Sequence, residues 1–146
     1  GVDVDVIASD EPLDDYDVVV APMLYMLRDG AAESLAAFVK RGGQLLSTYF
    51  TGYVDKDQLC ILGGFPGNGL ADVFGIISEE IDTLYPSDRN SVSFTDGSSC
   101  ELRDYAEILR VGTADVLGIY DSDFYAGNEQ LRRGQGLLRG CKNRLQ

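Results

Sequence analysis

Asp17-Val18-Val19-Val20-Ala21-Pro22, a helical pattern from Asp29 to Arg41, then Gly42-Gly43 and Gln44-Leu45-Leu46-Ser47-Thr48-Tyr49-Phe50: this stretch decides the fold class. The first run is short, β-branched and closed by proline, the pattern of a buried parallel strand. Ala32, Leu35, Ala36, Phe38 and Val39 then recur at helical spacing, and Gly42-Gly43 stops the helix in the manner usual for a C-terminus. Gln44 to Phe50 reads as the next strand. Strand, helix and strand in that order form a βαβ unit, whose strands lie parallel with a right-handed crossover. The class predicted is therefore α/β: a mostly parallel sheet with helices on its faces.

Working outward, Val2 to Ala8 alternates Val or Ile with Asp and reads as a further strand, with Ser9-Asp10-Glu11-Pro12 and Asp14-Asp15 as turn material. Downstream, Thr51 to Gly69 is a long glycine-bearing loop. Leu70 to Phe74 is a short helix closed by Gly75, and Ile76 to Tyr85 looks extended until Pro86 breaks it. Ser91–Thr95, Tyr105–Val111 and Val116–Tyr120 are shorter strand candidates, so the second half is richer in β and is expected to be antiparallel at the sheet edge.

The chain has 146 residues, which suits one domain. No apolar run approaches the length of a membrane span. Gly1-Val2-Asp3-Val4-Asp5 has neither an initiator Met nor a basic region, so it is not a signal peptide and reads as a start inside an element. With 12 basic and 24 acidic residues the net charge is −12, which repels a phosphate backbone and anionic lipid alike. Neither nucleic acid nor a membrane is expected as a partner. Cys60, Cys100 and Cys141 are far apart and odd in number, which suits reduced thiols in a cytoplasmic protein.

The sequence contains no histidine. No Ser-His-Asp or Cys-His arrangement can be built within it, and the commonest metal ligand is missing. No catalytic residue, metal or cofactor is expected of this chain.

The run Gly63-Gly64-Phe65-Pro66-Gly67-Asn68-Gly69 invites comparison with a phosphate loop. It lacks GxxxxGK[ST] and the GxGxxG order between strand and helix, and Pro66 removes an amide that a phosphate cradle would use, so a structural turn is the better reading. The acid pairs Asp14-Asp15, Glu79-Glu80 and Asp121 with Asp123 read as solvated surface. Adjacent strand residues point to opposite faces, so Glu79 and Glu80 cannot share a substrate. The aromatics Tyr25, Tyr49, Phe50, Tyr53 and Phe65 fall at or beyond strand C-termini, where α/β sheets present loops to ligands or partners. They suit an interface or a core cap equally. Leu131 to Gln146 holds Arg132, Arg133, Arg139, Lys142 and Arg144 and no acid, and reads as a frayed or non-native tail rather than a binding arm.

Several of these motifs together resemble a family. Tyr16-Asp17-Val18-Val19-Val20-Ala21-Pro22-Met23-Leu24-Tyr25-Met26-Leu27 is similar to the signature of glycoside hydrolase family forty-two β-galactosidases. So are Phe38-Val39-Lys40-Arg41-Gly42-Gly43 with Thr48-Tyr49-Phe50-Thr51-Gly52-Tyr53-Val54-Asp55, and Leu62 to Gly67 running on through Phe74-Gly75-Ile76 to Glu79-Glu80. Asp123-Phe124-Tyr125-Ala126-Gly127 completes the order. All belong to that family's middle, trimerisation domain.

The resemblance implies a flavodoxin-like, class I glutamine amidotransferase-like three-layer sandwich without amidotransferase catalytic residues. It implies a parent that hydrolyses terminal β-D-galactosides with retention, with both catalytic glutamates on a separate (β/α)₈ barrel. Partners would be that barrel and the neighbouring protomers of a homotrimer, and galactoside would be met only through the parent. In a flavodoxin-like order the first strand lies between the second and third. Val2–Ala8 would be the second and Asp17–Ala21 the third, so the first strand and helix are expected to be missing. Residues 1–130 would be the domain and 131–146 the tail, where Leu137-Leu138-Arg139-Gly140-Cys141 lacks the family's aromatics. Tyr25, Tyr49, Phe50, Tyr53, Asp55 and Phe65 are the candidates for an interface or active-site rim. The readings from other classes are a stand-alone amidotransferase-like hydrolase, which needs a nucleophile in the turn after Phe50, and a flavin- or nucleotide-binding module.

Overall fold

The computed structural model describes residues 1–121 and 136–137. The βαβ unit is present: β1 (Val18–Ala21) and β2 (Gln44–Ser47) pair in parallel, from Val18 opposite Gln44 to Ala21 opposite Ser47, with α1 (Ala31–Lys40) between them. The face of α1 carrying Ala31, Ala32, Leu35, Phe38 and Val39 is buried, while Glu33 in its first turn and Lys40 in its last suit the helix dipole. The two glycines that end it do different work. Gly42 N–H donates to the Val39 carbonyl and Gly43 N–H to that of Phe38, each at 3.0 Å, which closes the helix in a Schellman motif. Gly42 supplies the positive φ, 103°, that this motif requires. Gly43 supplies space, since a Cβ there would lie 2.4 Å from Cζ of Phe38. Phe38 is fully buried at the centre of a core that includes Leu27, Leu35, Leu45, Leu70, Phe74 and Leu109.

The mostly parallel flavodoxin-like sandwich is not what the chain forms. β3 (Ile76–Thr83) pairs antiparallel with β6 (Tyr105–Val111). β4 (Asn90–Phe94) pairs antiparallel with β5 (Ser99–Leu102) and with β7 (Gly118–Tyr120), which pairs in turn with β8 (Gly136–Leu137). These make three separate sheets, β1-β2, β3-β6 and β5-β4-β7-β8, and among the described strand-to-strand pairings β1-β2 alone is parallel, with Met26 and Val54 adding an isolated parallel bridge. The reason lies in the connections. Parallel neighbours need a crossover of about a dozen residues or more, usually helical. Among the described residues after β2 the helix present is α2 (Leu70–Phe74), five residues long. Later links are turns such as Thr95-Asp96-Gly97-Ser98, which return the chain antiparallel. The antiparallel character expected at one edge extends through all the described strands after β2.

Val2–Ala8 is not a strand, and Val2, Val4 and Val6 are 89%, 80% and 99% exposed. Alternation states which face of a strand would be buried. It does not supply the neighbouring backbone that makes a strand, and β1 has β2 as its neighbour here. The described strands therefore do not build the sheet in which Val2–Ala8 would be a second strand. Asp123–Gly127, Cys141 and the basic stretch from Leu131, apart from Gly136–Leu137, lie outside the described residues.

Candidate functional site

The loops leaving the C-terminal ends of β1 and β2 are joined by their backbones. Gly52 N–H donates to the Leu24 carbonyl at 2.8 Å, Tyr53 and Val54 N–H to that of Tyr25 at 3.0 and 3.1 Å, and Leu27 N–H to that of Val54 at 2.9 Å. Met23 N–H also donates to Thr48 Oγ1 at 2.8 Å. This ladder sets Tyr25 beside Tyr53, their rings stacked with centroids 6.0 Å apart. Phe65 stacks on the other side of Tyr53 at 4.0 Å, held by Ser78 N–H donating to its carbonyl at 2.8 Å. Phe50 meets the edges of Tyr25, Tyr49 and Tyr53 at 6.4, 5.3 and 5.6 Å. Tyr105, at the start of β6, closes the group against Tyr49 at 5.6 Å and Phe50 at 5.4 Å.

The structure thus brings together Tyr25, Tyr49, Phe50, Tyr53 and Phe65 into one aromatic cluster. Its rim is open, Tyr25 being 46% and Tyr105 41% exposed, while the remaining rings are half-buried. Asp55 does not join it. Its Oδ1 accepts from the amides of Asp57 and Leu59, each at 2.9 Å, and so fixes its own turn.

Of the glycines in Gly63–Gly69, Gly67 serves packing. Gly67 N–H donates to the Gly52 carbonyl at 2.9 Å, tying this run to the aromatic loop. A Cβ on Gly67 would sit 2.5 Å from Ile61 Cγ2 and 3.0 Å from the Gly52 oxygen.

Beneath the rings lies a carboxylate that the motifs did not single out. Glu107 Oε1 accepts from Phe50 N–H at 2.7 Å and from the Tyr53 hydroxyl at 3.2 Å. The Tyr53 hydroxyl also lies 3.1 Å from Ser78 Oγ, and the Tyr120 hydroxyl donates to the Glu107 carbonyl at 3.1 Å. Burial pushes the Glu107 carboxyl above the usual glutamate range, against the opposing pull of the Phe50 amide and the Tyr53 hydroxyl. Burial likewise pushes Tyr53 and Tyr120 up to about 12, so both carry their protons at neutral pH. Tyr105 and Glu107 sit two apart on β6 and therefore on one face of the strand, a signal legible in the sequence once the strand is granted. Glu107 also lines a cavity of about 500 Å³ with Tyr49, Thr51, Tyr105 and Tyr120.

Thr51, the hydroxyl nearest the turn where an amidotransferase-like hydrolase would hold its nucleophile, is buried. Its Oγ1 lies 2.5 Å from Ser47 Oγ and donates to the Thr48 carbonyl at 2.9 Å. The amidotransferase reading is accordingly dropped. Glu79 is ion-paired with Arg110 at 2.6 Å, and both it and Glu80 are exposed. Among the described residues no group of His, Cys, Asp and Glu is arranged to hold a metal ion, and no helix is long and apolar enough to cross a membrane.

Residues 1–136 match the family described as the β-galactosidase trimerisation domain. A β-galactosidase of Alicyclobacillus acidocaldarius is 45% identical over 133 residues, covering 87% of this chain and 19% of that protein. One from Clostridium perfringens is 48% identical over 129 residues, covering 84% and 19%. Among solved structures, the cold-adapted β-galactosidase of Rahnella sp. R3 superposes with a TM-score of 0.82 at 39% identity, over 97% of this chain and 23% of that one. Gan42B, a GH42 β-galactosidase, gives 0.80 at 40% identity, over 96% and 21%. The chain thus spans about a fifth of the length of these relatives.

Proposed function

The chain belongs to the family of β-galactosidase trimerisation domains, and from that premise we propose that it assembles the protomers of a homotrimeric, cytoplasmic β-galactosidase. The parent hydrolyses terminal β-D-galactosides with retention on a separate (β/α)₈ barrel, and this domain contributes no catalytic group. Its partners are that barrel and the neighbouring protomers.

The observation that carries this reading is the half-exposed aromatic cluster at the C-terminal ends of β1 and β2. Tyrosine and phenylalanine are enriched at the buried centres of protein interfaces because they bring large apolar area at small entropic cost. Tyr25, Tyr49, Phe50, Tyr53 and Phe65 form the contact face, with Asp55 bracing the loop behind it. The free, exposed thiols of Cys60 and Cys100 are in keeping with a reducing compartment.

Light scattering and chromogenic β-galactoside hydrolysis by the full-length polypeptide, wild type beside Tyr53→Ala, test the proposal. The variant is expected to lose trimer mass, activity or both, while the 146-residue chain alone is inactive. Unchanged mass and activity in Tyr53→Ala would demote the cluster to a core cap. Hydrolysis by the chain alone that vanished on substituting Glu79 or Glu80 would overturn the assignment of catalysis to the barrel.

A further inference from the structure

We propose that Glu107 is the positioning residue of the aromatic face: its carboxyl reaches out of β6 to hold the Phe50 amide and the Tyr53 hydroxyl, fixing the loop from Tyr49 to Asp55 in the shape that docks. The proposal rests on the reading of that loop as a contact surface.

Three observations converge on it. The first is the conformation it holds. Phe50 has φ 59°, a left-handed backbone that costs a non-glycine residue about 1–2 kcal/mol. A turn of this kind persists only where its surroundings over-determine it. The second is the geometry of the hold. The 2.7 Å bond from Phe50 and the 3.2 Å bond from Tyr53 end on the same oxygen, Oε1. That oxygen belongs to a residue 57 positions away from Phe50 in sequence. The bonds cross from the β3–β6 layer to the loop of the βαβ unit, so one side chain sets the position of one element against another. The third is that this carboxylate stands among hydroxyls. Among the described residues no lysine or arginine pairs with Glu107. The groups facing it are the Tyr53 hydroxyl from the loop, Tyr105 on its own strand and Tyr120 from β7, with Asp82 close enough to Tyr120 to act on it and Glu101 and Arg103 elsewhere along the same cavity. A half-buried acid without a cation is costly, and burial does raise this one. What it supplies in return is the shape of the loop.

Reach, rather than charge, is therefore the property that matters. A carboxamide of the same length keeps an oxygen where Oε1 stands, whereas a carboxylate one methylene shorter does not. Hydrogen exchange in the intact polypeptide reads this through peptides covering Tyr49 to Asp55. Glu107→Gln is expected to leave exchange there close to wild type. Glu107→Asp and Glu107→Ala are expected to raise it about tenfold, with peptides of α1 and β1 unchanged, because the acceptor oxygen for the Phe50 amide and the Tyr53 hydroxyl has been withdrawn. A merely structural glutamate would raise exchange across the whole domain in all variants alike.

Protection lost in Glu107→Gln but kept in Glu107→Asp would overturn the proposal, as would a loop unaffected by Glu107→Ala. Should Glu107→Ala fail to fold, the Gln–Asp contrast decides. Trimer mass on the same samples separates the two readings: a loop released in Glu107→Asp with the trimer intact would leave Glu107 in its role and remove the loop from the interface.

Discussion

Alanine at Gly67 should damage the aromatic face from behind, and the structure sets how much. Gly67 has no need of a positive φ; it needs room. Its added Cβ would meet Ile61 Cγ2 at 2.5 Å, Ile61 Cβ at 2.9 Å and the Gly52 carbonyl oxygen at 3.0 Å. A branched Cβ and a backbone oxygen are not flexible ends that can swing away, so the two loops must part. Forced methyl groups of this kind cost about 1–3 kcal/mol. Parting the loops also strains the 2.9 Å bond from Gly67 N–H to Gly52 and the 4.0 Å stack of Phe65 on Tyr53. With a urea m-value of about 1–3 kcal/mol/M, the midpoint should fall by about 1 M. The chain has no tryptophan and eight tyrosines, so near-UV circular dichroism reports on the tyrosines and should weaken as well.

Gly63→Ala is the control. Gly63 has φ 105° and nothing within 4 Å of its would-be Cβ, so only the backbone term applies, about 1 kcal/mol, with the tyrosine spectrum unchanged. A Gly67→Ala variant with an unchanged midpoint and spectrum would refute the reading of this run as a packing device.

Two further outcomes follow from the same geometry. Gly43→Ala drives a Cβ to within 2.4–2.6 Å of three atoms of the fully buried Phe38 ring and should lower stability by about 1–3 kcal/mol, measured by urea unfolding. A cost near zero would mean that α1 and β2 slide freely past each other. Tyr53 and Tyr120 have folded-state values raised from 10.0 to about 12. A raised value means that their contribution is fully present below pH 10 and is lost as pH rises through about 12. Alkaline unfolding should therefore steepen over that window, and Tyr53→Phe should flatten it; an unaltered slope would contradict the burial of that hydroxyl.

The βαβ unit was legible because each of its parts is decided locally. A β-branched run, an apolar stripe at helical period and Gly42-Gly43 act within a few residues of one another. They formed the expected elements, but β1 is not the buried strand its β-branched run suggested, since Val18 and Val20 are 54% and 58% exposed. The direction of the later strands was not legible in the same way. Ile76–Thr83 and Tyr105–Val111 were both visible as strands, but whether two strands run parallel depends on the link between them. Antiparallel pairing was expected, but only at the edge of a mostly parallel sheet, which needs the crossovers of a more helical chain. Ser99–Leu102 escaped notice because it is four residues long and its side chains are largely exposed; Asp96-Gly97 before it marks the hairpin. Val2–Ala8 failed in the opposite sense, having a clean alternation and no partner. The site divided along the same line. Its rings follow strand ends and could be found there, whereas Tyr105 and Glu107 reach it by tertiary packing from a strand read only as an edge.

The turn after β2 shows how a βαβ unit can hold a strained corner from within. Such corners are useful to hydrolases because strain thrusts a nucleophile into the open. Here the residue at φ 59° is Phe50, the hydroxyl that follows it is bonded back to Ser47 and Thr48, and the Phe50 amide is bonded to Glu107. The left-handed backbone costs about 1–2 kcal/mol, and the hydrogen bond from the Phe50 amide to Glu107 returns about 0.5–1.5 kcal/mol, a comparable amount. The balance closes without a substrate. What the corner presents to the outside is then the Phe50 ring, set edge-on to Tyr25, Tyr49, Tyr53 and Tyr105. A corner stabilised from within and faced with aromatic carbon has little to offer a reacting carbonyl and a good deal to offer another protein surface.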